Sequence, residues 1–262
     1  MMKPKSKVGV QAFLIDLDGV LYVGKNPIPG VRECLEQMEE RGYDYRFVSN
    51  STRRCQSSVA ERLLGLGYDV SVARIFTPPL AAIRHMKSTG QKRCFLLTAG
   101  DVHKDFENAG ITVAKEDVDC VVVGDAGNSF TFERLNQALR LILGGAEILA
   151  LEKDRYWQEA EGLVLSTGPF VAALEYATGK KAKLMGKPSR EFFDMALKDM
   201  GLGPKEAAMI GDDILTDVGG AQAMGMQGIL VKTGKYREDL AKSSGVTPDV
   251  VLESLAMLSS RL

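Results

Sequence analysis

The feature that most constrains the fold is an apolar run that ends abruptly in two aspartates. Residues 8–15 have the pattern of a strand buried in a parallel sheet, and Asp16 and Asp18 follow, with Gly19 allowing a sharp turn. Two carboxylates at the edge of an apolar core repel each other and are poorly solvated. A hard divalent cation bound between them would offset this repulsion. Open α/β sheets bind ligands at this end of a strand, so we predict a Mg²⁺ site. Alone, so short a motif is more often a solvated turn.

Composition limits the classes of function. The length of 262 residues allows one large or two modest domains, and a net charge of −1 gives no footprint for nucleic acid or an anionic membrane. We find no apolar run of membrane-spanning length and no signal-peptide stretch at the amino terminus. Four widely spaced cysteines predict reduced thiols, so we expect a cytoplasmic protein. His85 and His103 are predicted at the surface, which argues against a histidine metal site.

Strand-like and helix-like segments alternate along most of the chain, which predicts an α/β fold with parallel sheets. A Thr-Pro-Pro break at 77–79 separates a first series of segments from a second. We interpret residues 80–182 as an inserted α/β domain, because their alternation implies a sheet of their own. Its predicted strands are 94–98, 119–123 and 147–151, and its predicted helices are 132–143 and 169–178.

Ser49 and Asn50 lie where a second predicted strand ends and a helix begins. The amino termini of helices bind phosphate through free backbone N–H groups and the helix dipole. On this segment alone, plain N-capping by a hydroxyl side chain explains the pattern better.

Two further segments place charged residues at element ends. Lys187 precedes Pro188 at the start of a helix, although a single lysine is usually a solvated surface charge. A short apolar strand then runs into Asp212, Asp213 and Asp217, the second place where a buried strand meets clustered carboxylates.

The combination of these four segments favours one site. In a parallel sheet, such positions converge on one edge. Together they supply a nucleophile, a general acid/base, phosphate-binding groups and a metal cage, which are the parts that a phosphoryl-transfer site requires.

In this order, the four segments resemble the motifs of the haloacid dehalogenase (HAD) superfamily. The resemblance implies a Rossmann-like, doubly wound core of residues 1–79 and 183–262. It also implies that residues 80–182 form the type II α/β cap of the NagD-like branch, subfamily IIA. Several stretches look like those of the phospholysine phosphohistidine inorganic pyrophosphate phosphatases and their neighbours: Arg155-Tyr156, Glu161-Gly162-Leu163, Gly168-Pro169, Gly186 to Ser189, Gly211 to Ile214 and Asp217 to Gln222. Ser49-Asn50-Ser51 departs from the usual Thr-Asn or Ser-Asn-Asn, which bears on substrate preference.

The resemblance implies a role for each site residue. Asp16 would attack phosphorus to form an aspartyl-phosphate, and Asp18 would act as general acid and then general base. The Asp16 carboxylate, the Asp18 backbone carbonyl and the Asp212 carboxylate would hold Mg²⁺. Asp213 and Asp217 would orient water and Lys187. The substrate phosphate would meet Asp16, Leu17, Asp18, Ser49, Asn50 and Lys187. The expected enzyme is a Mg²⁺-dependent phosphoric monoester hydrolase.

The inserted domain is expected to set specificity and to support a possible homodimer. Within residues 154–158, Trp157 is expected to pack in the domain core or at a subunit contact, and stacking on substrate is the alternative. Arg53 and Arg54 are candidates for a second substrate anion or for a solvated helix start.

Three other classes of protein remain open from the sequence. A phosphotransferase or mutase would use the same intermediate. A phospho-acceptor receiver is a single compact unit, so the long insertion argues against it. A non-catalytic phospho-ligand-binding protein is disfavoured because every catalytic position holds a competent residue.

Overall fold

Two larger parallel sheets organise the chain, which the computed structural model describes over residues 9–159 and 161–262. The predicted α/β fold is confirmed, whereas the functional domain limits at 80 and 182 stay a prediction. The chain divides into two compact units. The first contains the described residues up to Ser49, Ala60–Phe76 and Lys187–Leu262, and the second contains Asn50–Val59 and Thr77–Gly186.

The strands in chain order are β1 (Ala12–Ile15), β2 (Tyr22–Val23), β3 (Asn26–Pro27), β4 (Asp44–Val48), β5 (Ile75–Phe76), β6 (Arg93–Leu97), β7 (Thr112–Val113), β8 (Cys120–Val123), β9 (Glu147–Ala150), β10 (Tyr156–Glu159), β11 (Gly162–Leu165), β12 (Lys183–Leu184), β13 (Ala207–Gly211), β14 (Gln227–Val231) and β15 (Val250–Leu252).

The α-helices are α1 (Val31–Glu40), α2 (Gln56–Gly65), α3 (Pro78–Ser88), α4 (His103–Asn108), α5 (Phe132–Leu143), α6 (Thr167–Thr178), α7 (Arg190–Lys198), α8 (Gly220–Ala223) and α9 (Glu238–Ser243). Short 3₁₀ segments cover Val72–Arg74, Gly127–Ser129, Pro204–Glu206 and Leu255–Ser260, and a π-helical turn covers Ile214–Gly219.

The sheet of the first unit has the strand order β15-β14-β13-β1-β4-β5, and every neighbouring pair is parallel. The chain builds outward from β1 in both directions, so the order reverses beside β1, where ligands of open sheets bind. All four residues of β1 are fully buried. Ile15 pairs with Ile210 of β13 and Phe47 of β4, so these three strands end at the same edge of the sheet. The strand predicted from Val8 begins at Ala12, and Val8 itself lies outside the described residues.

The second unit has its own parallel sheet, in the order β12-β9-β8-β6-β7. Its buried strand residues pack against Ala138 and Ile142 of α5 and Val171 and Leu174 of α6. The predicted strands and helices of this region are confirmed, and their ends shift by at most two residues. Strands β10 and β11 form a separate antiparallel hairpin.

Three side-chain predictions can be compared with the structure. The surface prediction for His85 is wrong: the side chain is buried, and its Nε2 lies 3.0 Å from Glu147 Oε2, a partner 62 residues away. The surface prediction for His103 is confirmed. Trp157 is 43% exposed on β10, so it does not pack in the core of the second unit, and its other two roles stay open.

The four cysteines are free thiols, and each is buried. Within the described part of the chain, no helix has both the length and the apolar character needed to cross a membrane.

Candidate active site

Asp16 begins the site because β1 delivers it to the edge of the sheet. Its backbone N–H donates to the carbonyl of Ile210, 2.9 Å away, which ties the end of β1 to β13. The residue is only 8% exposed. Gly19 adopts a left-handed conformation, with φ at 81°, and a Cβ there would lie 1.8 Å from Asp212 Oδ2. The predicted sharp turn therefore also brings the backbone against a second carboxylate.

Three buried carboxylates converge at this edge. Asp16, Asp212 and Asp217 each offer an oxygen, and these oxygens lie within 4.8 Å of one another. Loss of solvent, followed by repulsion from Asp16 and Asp217, raises the pKa of Asp212 to about 8. Burial, with repulsion from Asp16, raises the pKa of Asp217 to about 7, although Lys187 opposes the rise. A divalent cation fits this cluster, because carboxylate oxygens suit a hard ion and its charge offsets their repulsion.

Lys187 joins two of these carboxylates. Its Nζ lies 2.7 Å from Asp16 Oδ1 and 2.6 Å from Asp217 Oδ1, and the side chain is 3% exposed. Burial lowers the pKa of Lys187, but Asp16 and Asp217 outweigh that effect and hold it above its usual value. The lysine is therefore an ammonium ion inside the site, and the alternative of a solvated surface charge is excluded.

Asp217 has a contact for each carboxylate oxygen. Oδ1 meets Lys187, and Oδ2 accepts the backbone N–H of Asp213 at 3.2 Å. The Asp213 side chain faces the backbone instead, where its Oδ1 accepts from the N–H groups of Leu215 and Thr216 and caps the π-helical turn. This geometry agrees with Asp217 orienting Lys187, and the role of Asp213 toward water stays a prediction.

The loop after β14 also belongs to the site, and the sequence reasoning missed it. The backbone N–H of Lys235 donates to Asp212 Oδ2 at 2.6 Å, and the hydroxyl of Thr233 donates to the carbonyl of Gly19. A Cβ at Gly234 would lie 2.1 Å from Asp212 Oδ2. The available signal was a Thr-Gly turn after the apolar strand β14, at the same sheet edge as the other motifs.

Asp18 lies at a more open position than Asp16. The residue is exposed, and the phenol of Tyr22 donates to its Oδ2 at 3.2 Å. Surrounding protein still removes enough water to raise the pKa of Asp18, with repulsion from Asp16 adding to the rise and the Arg62 guanidinium opposing it. Leu17 is 1% exposed, so only its backbone can face a substrate.

Ser49 and Asn50 fall in different units. Ser49 is buried after β4, and its N–H donates to the carbonyl of Phe76 at 3.2 Å. Asn50 opens the second unit, where a Cβ at Gly186 would lie 2.8 Å from its Oδ1. The structure therefore brings Asp16, Asp212 and Asp217 together with Lys187 and places Ser49 at the same sheet edge. The role of Asn50 toward Asp16 stays a prediction.

Arg53 and Arg54 line a cavity of about 420 Å³ in the second unit, together with Ser58, Gly100 and Asp101. The Arg53 guanidinium holds Asp125 through Nε at 2.7 Å and Nη2 at 2.8 Å. Arg53 thus has an internal carboxylate partner, and Arg54 is exposed.

Comparisons with known proteins identify relatives of this chain. A family model described as haloacid dehalogenase-like hydrolase matches residues 13–112, and a HAD-hydrolase-like model matches 184–258. Haloacid dehalogenase-like hydrolase domain-containing protein 2 from Pongo abelii is 43% identical over 245 residues, covering 94% of this chain and 93% of its own. Phospholysine phosphohistidine inorganic pyrophosphate phosphatase from Xenopus laevis is 38% identical over 255 residues, with 95% and 93% covered.

Solved structures give the same relationship. 4-Nitrophenylphosphatase from Thermotoga maritima superimposes with a TM-score of 0.90 at 30% identity, covering 96% of this chain and 97% of its own. NagD from E. coli K-12 shares the fold with a TM-score of 0.85 at 24% identity, covering 95% and 98%. The chain therefore belongs to the haloacid dehalogenase superfamily and is a hydrolase of the phosphatase class.

Proposed function

We propose that this protein is a Mg²⁺-dependent phosphatase that hydrolyses a small phosphorylated metabolite, a phosphoamidate or pyrophosphate through an aspartyl-phosphate on Asp16. The observation that carries this proposal is the buried Asp16 carboxylate, held 2.7 Å from the Lys187 ammonium within a cluster of acids. This ion pair fixes the carboxylate whose oxygen is the proposed nucleophile.

The reaction divides into two displacements at phosphorus. An oxygen of Asp16 forms a bond to phosphorus while the bond to the leaving group breaks, and the proton of Asp18 passes to the leaving oxygen or nitrogen. In the second displacement, the Asp18 carboxylate takes a proton from water, and that water attacks the aspartyl-phosphate. Inorganic phosphate leaves, and Asp16 and protonated Asp18 are restored.

The metal-binding residues in this proposal are Asp16, Asp212 and the backbone carbonyl of Asp18. Asp217 is proposed to hold Lys187 rather than the ion, because both of its oxygens already have partners. When bound, Mg²⁺ offsets negative charge on the phosphoryl group and the carboxylates. The lysine, Ser49, Asn50 and the Leu17 backbone are proposed to bind phosphoryl oxygens as charge develops there.

Two properties of the whole protein are part of the proposal. Cytoplasmic residence is supported by four free, buried thiols. A homodimer through the second unit is supported by the β10–β11 hairpin, which exposes Tyr156, Leu163 and Leu165 and is too small a sheet to be stable uncovered. Sedimentation velocity of the whole chain tests the dimer.

Turnover of p-nitrophenyl phosphate tests the function. We expect hydrolysis with Mg²⁺, loss of hydrolysis with EDTA, and no turnover by Asp16→Asn. A panel containing sugar phosphates, phospholysine, phosphohistidine and pyrophosphate then selects the substrate class. When a wild-type reaction is quenched with acid and analysed by mass spectrometry, phosphate should be found on Asp16. An active Asp16→Asn variant contradicts the proposal.

A further inference from the structure

Tyr22 gives the Asp18 carboxylate a fixed neighbour. The phenol donates to Asp18 Oδ2 at 3.2 Å, and the Tyr22 carbonyl accepts the N–H of Gly19 at 2.7 Å. The tyrosine is 3% exposed. The turn from Asp18 to Tyr22 is therefore closed by both backbone and side chain.

Arg62 of α2 holds this tyrosine from the other side. Its guanidinium carbon lies 4.7 Å from the centroid of the Tyr22 ring, the geometry of a cation–π contact. Its Nη2 also donates to the carbonyl of Gly24 at 2.9 Å. One side chain thus braces both the ring of Tyr22 and the turn that follows β2.

Resting on the proposed function, we infer that Tyr22 and Arg62 are positioning residues for Asp18: they orient its carboxyl group so that Oδ1 presents the proton to the leaving group. The inference follows from the direction of the hydrogen bond. The phenol donates to Oδ2, which leaves Oδ1 as the oxygen that exchanges a proton with the leaving group. Without the phenol, the Asp18 carboxyl group loses a hydrogen bond that fixes its orientation, so proton delivery should become less frequent.

The consequence depends on the leaving group. A positioned general acid matters most when the departing oxygen is strongly basic, and little when it leaves readily as an anion. Loss of the Tyr22 hydroxyl should therefore lower kcat/KM for phenyl phosphate more than for p-nitrophenyl phosphate. The kinetic constant to compare is kcat/KM, because it covers the steps through cleavage of the leaving group and excludes hydrolysis of the aspartyl-phosphate.

The experiment measures kcat/KM for a series of aryl phosphates of graded leaving-group pKa. For Tyr22→Phe we expect about a tenfold loss with phenyl phosphate and less than about threefold with p-nitrophenyl phosphate, so the plot against leaving-group pKa steepens. Arg62→Met should also steepen the plot, by a smaller amount. It provides the test if Tyr22→Phe does not fold. Partial unfolding would lower kcat/KM by the same factor for every substrate, so it would leave the slope of the plot unchanged.

Tyr68→Phe is the matched control. Tyr68 is also 3% exposed, and its hydroxyl donates to the Leu21 carbonyl at 2.6 Å without touching Asp18. Its plot should keep the wild-type slope. An unchanged slope in both Tyr22→Phe and Arg62→Met overturns the positioning role, even if activity falls. A wild-type protein that forms no aspartyl-phosphate would instead refute the proposed function, and the inference with it.

Discussion

The ammonium of Lys187 lies 2.7 Å from Asp16 Oδ1, although 171 residues separate the two in sequence. Asp217 holds the same ammonium from the other side, at 2.6 Å. The lysine therefore compensates two buried carboxylates at once, which makes it both a structural and a chemical part of the site.

Lys187→Met should lose both stability and activity. Removing one partner of a buried ion pair leaves unpaired charge in a poorly solvated place, so we expect unfolding to become easier by about 3 kcal/mol. We also expect kcat/KM to fall at least about 100-fold, since a charged group proposed to bind the phosphoryl oxygens is gone. Denaturant titration and steady-state kinetics measure the two effects. Lys198→Met breaks an exposed pair with Asp194 and should cost less than about 0.5 kcal/mol, without loss of activity.

Asp212→Asn and Asp217→Asn should separate binding of the metal from orientation of the lysine. We expect Asp212→Asn to raise the half-saturating Mg²⁺ concentration at least about tenfold, because a proposed direct ligand is lost. Asp217→Asn should lower kcat/KM about tenfold at saturating Mg²⁺ and shift the half-saturating concentration less than about threefold. Equal shifts in the two variants would make Asp217 a ligand and refute its assignment to Lys187.

Gly234→Ala should abolish most activity. The added Cβ would lie 2.1 Å from Asp212 Oδ2 and 2.3 Å from the Cα of Gly19, and the backbone there has φ at 59°. We expect kcat/KM to fall at least about 100-fold as Asp212 is displaced. Gly42→Ala is the control. Gly42 is also left-handed, with φ at 79°, but a Cβ there would meet nothing within 4 Å. It should cost about 1 kcal/mol of stability and leave kcat/KM unchanged. Similar activities of the two variants would contradict the role of Gly234.

Asp105→Asn should change how stability depends on pH. Burial raises the pKa of Asp105 to about 6, with a further contribution from Asp101 and an opposing hydrogen bond from the N–H of Gln56. The folded state then binds the proton more tightly than the unfolded state, whose aspartate titrates near pH 4. This contribution to stability is therefore full below about pH 4 and is lost as the pH rises through 6.

The variant lacks that loss, so it should gain about 1–2 kcal/mol relative to the wild type between pH 4 and pH 7. Urea unfolding of both proteins at the two pH values measures the gain. A difference between the proteins that stays constant with pH would show that Asp105 titrates normally.

The sequence was enough to predict the main sheet and most of the acidic site. An apolar run followed by carboxylates marks a buried strand and its end, and parallel pairing then dictates that Asp16 and Asp212 meet. The helix 132–143 was also predicted at its observed bounds, because its apolar spacing is regular and the side chain of Thr131 caps it by accepting from the N–H of Arg134.

What could not be predicted depends on contacts between distant segments. His85 looked like a surface residue because nothing near it in sequence reveals Glu147 as its buried partner. The Thr233–Lys235 loop was not singled out from the sequence, because only the fold places the N–H group of Lys235 on Asp212. Residue type alone does not separate Asp217 from Asp212; the family resemblance predicted different roles for them, and the structure places Asp217 2.6 Å from Lys187.

The glycines at 19, 211 and 234 each face an aspartate carboxylate so closely that a methyl group would overlap it. Three backbone points without side chains thus form part of the wall of the acid cluster. In a saturation library selected for hydrolysis, codons 19, 211 and 234 should tolerate almost no change. These positions would then be as restricted as the reactive side chains, although they carry no reactive group.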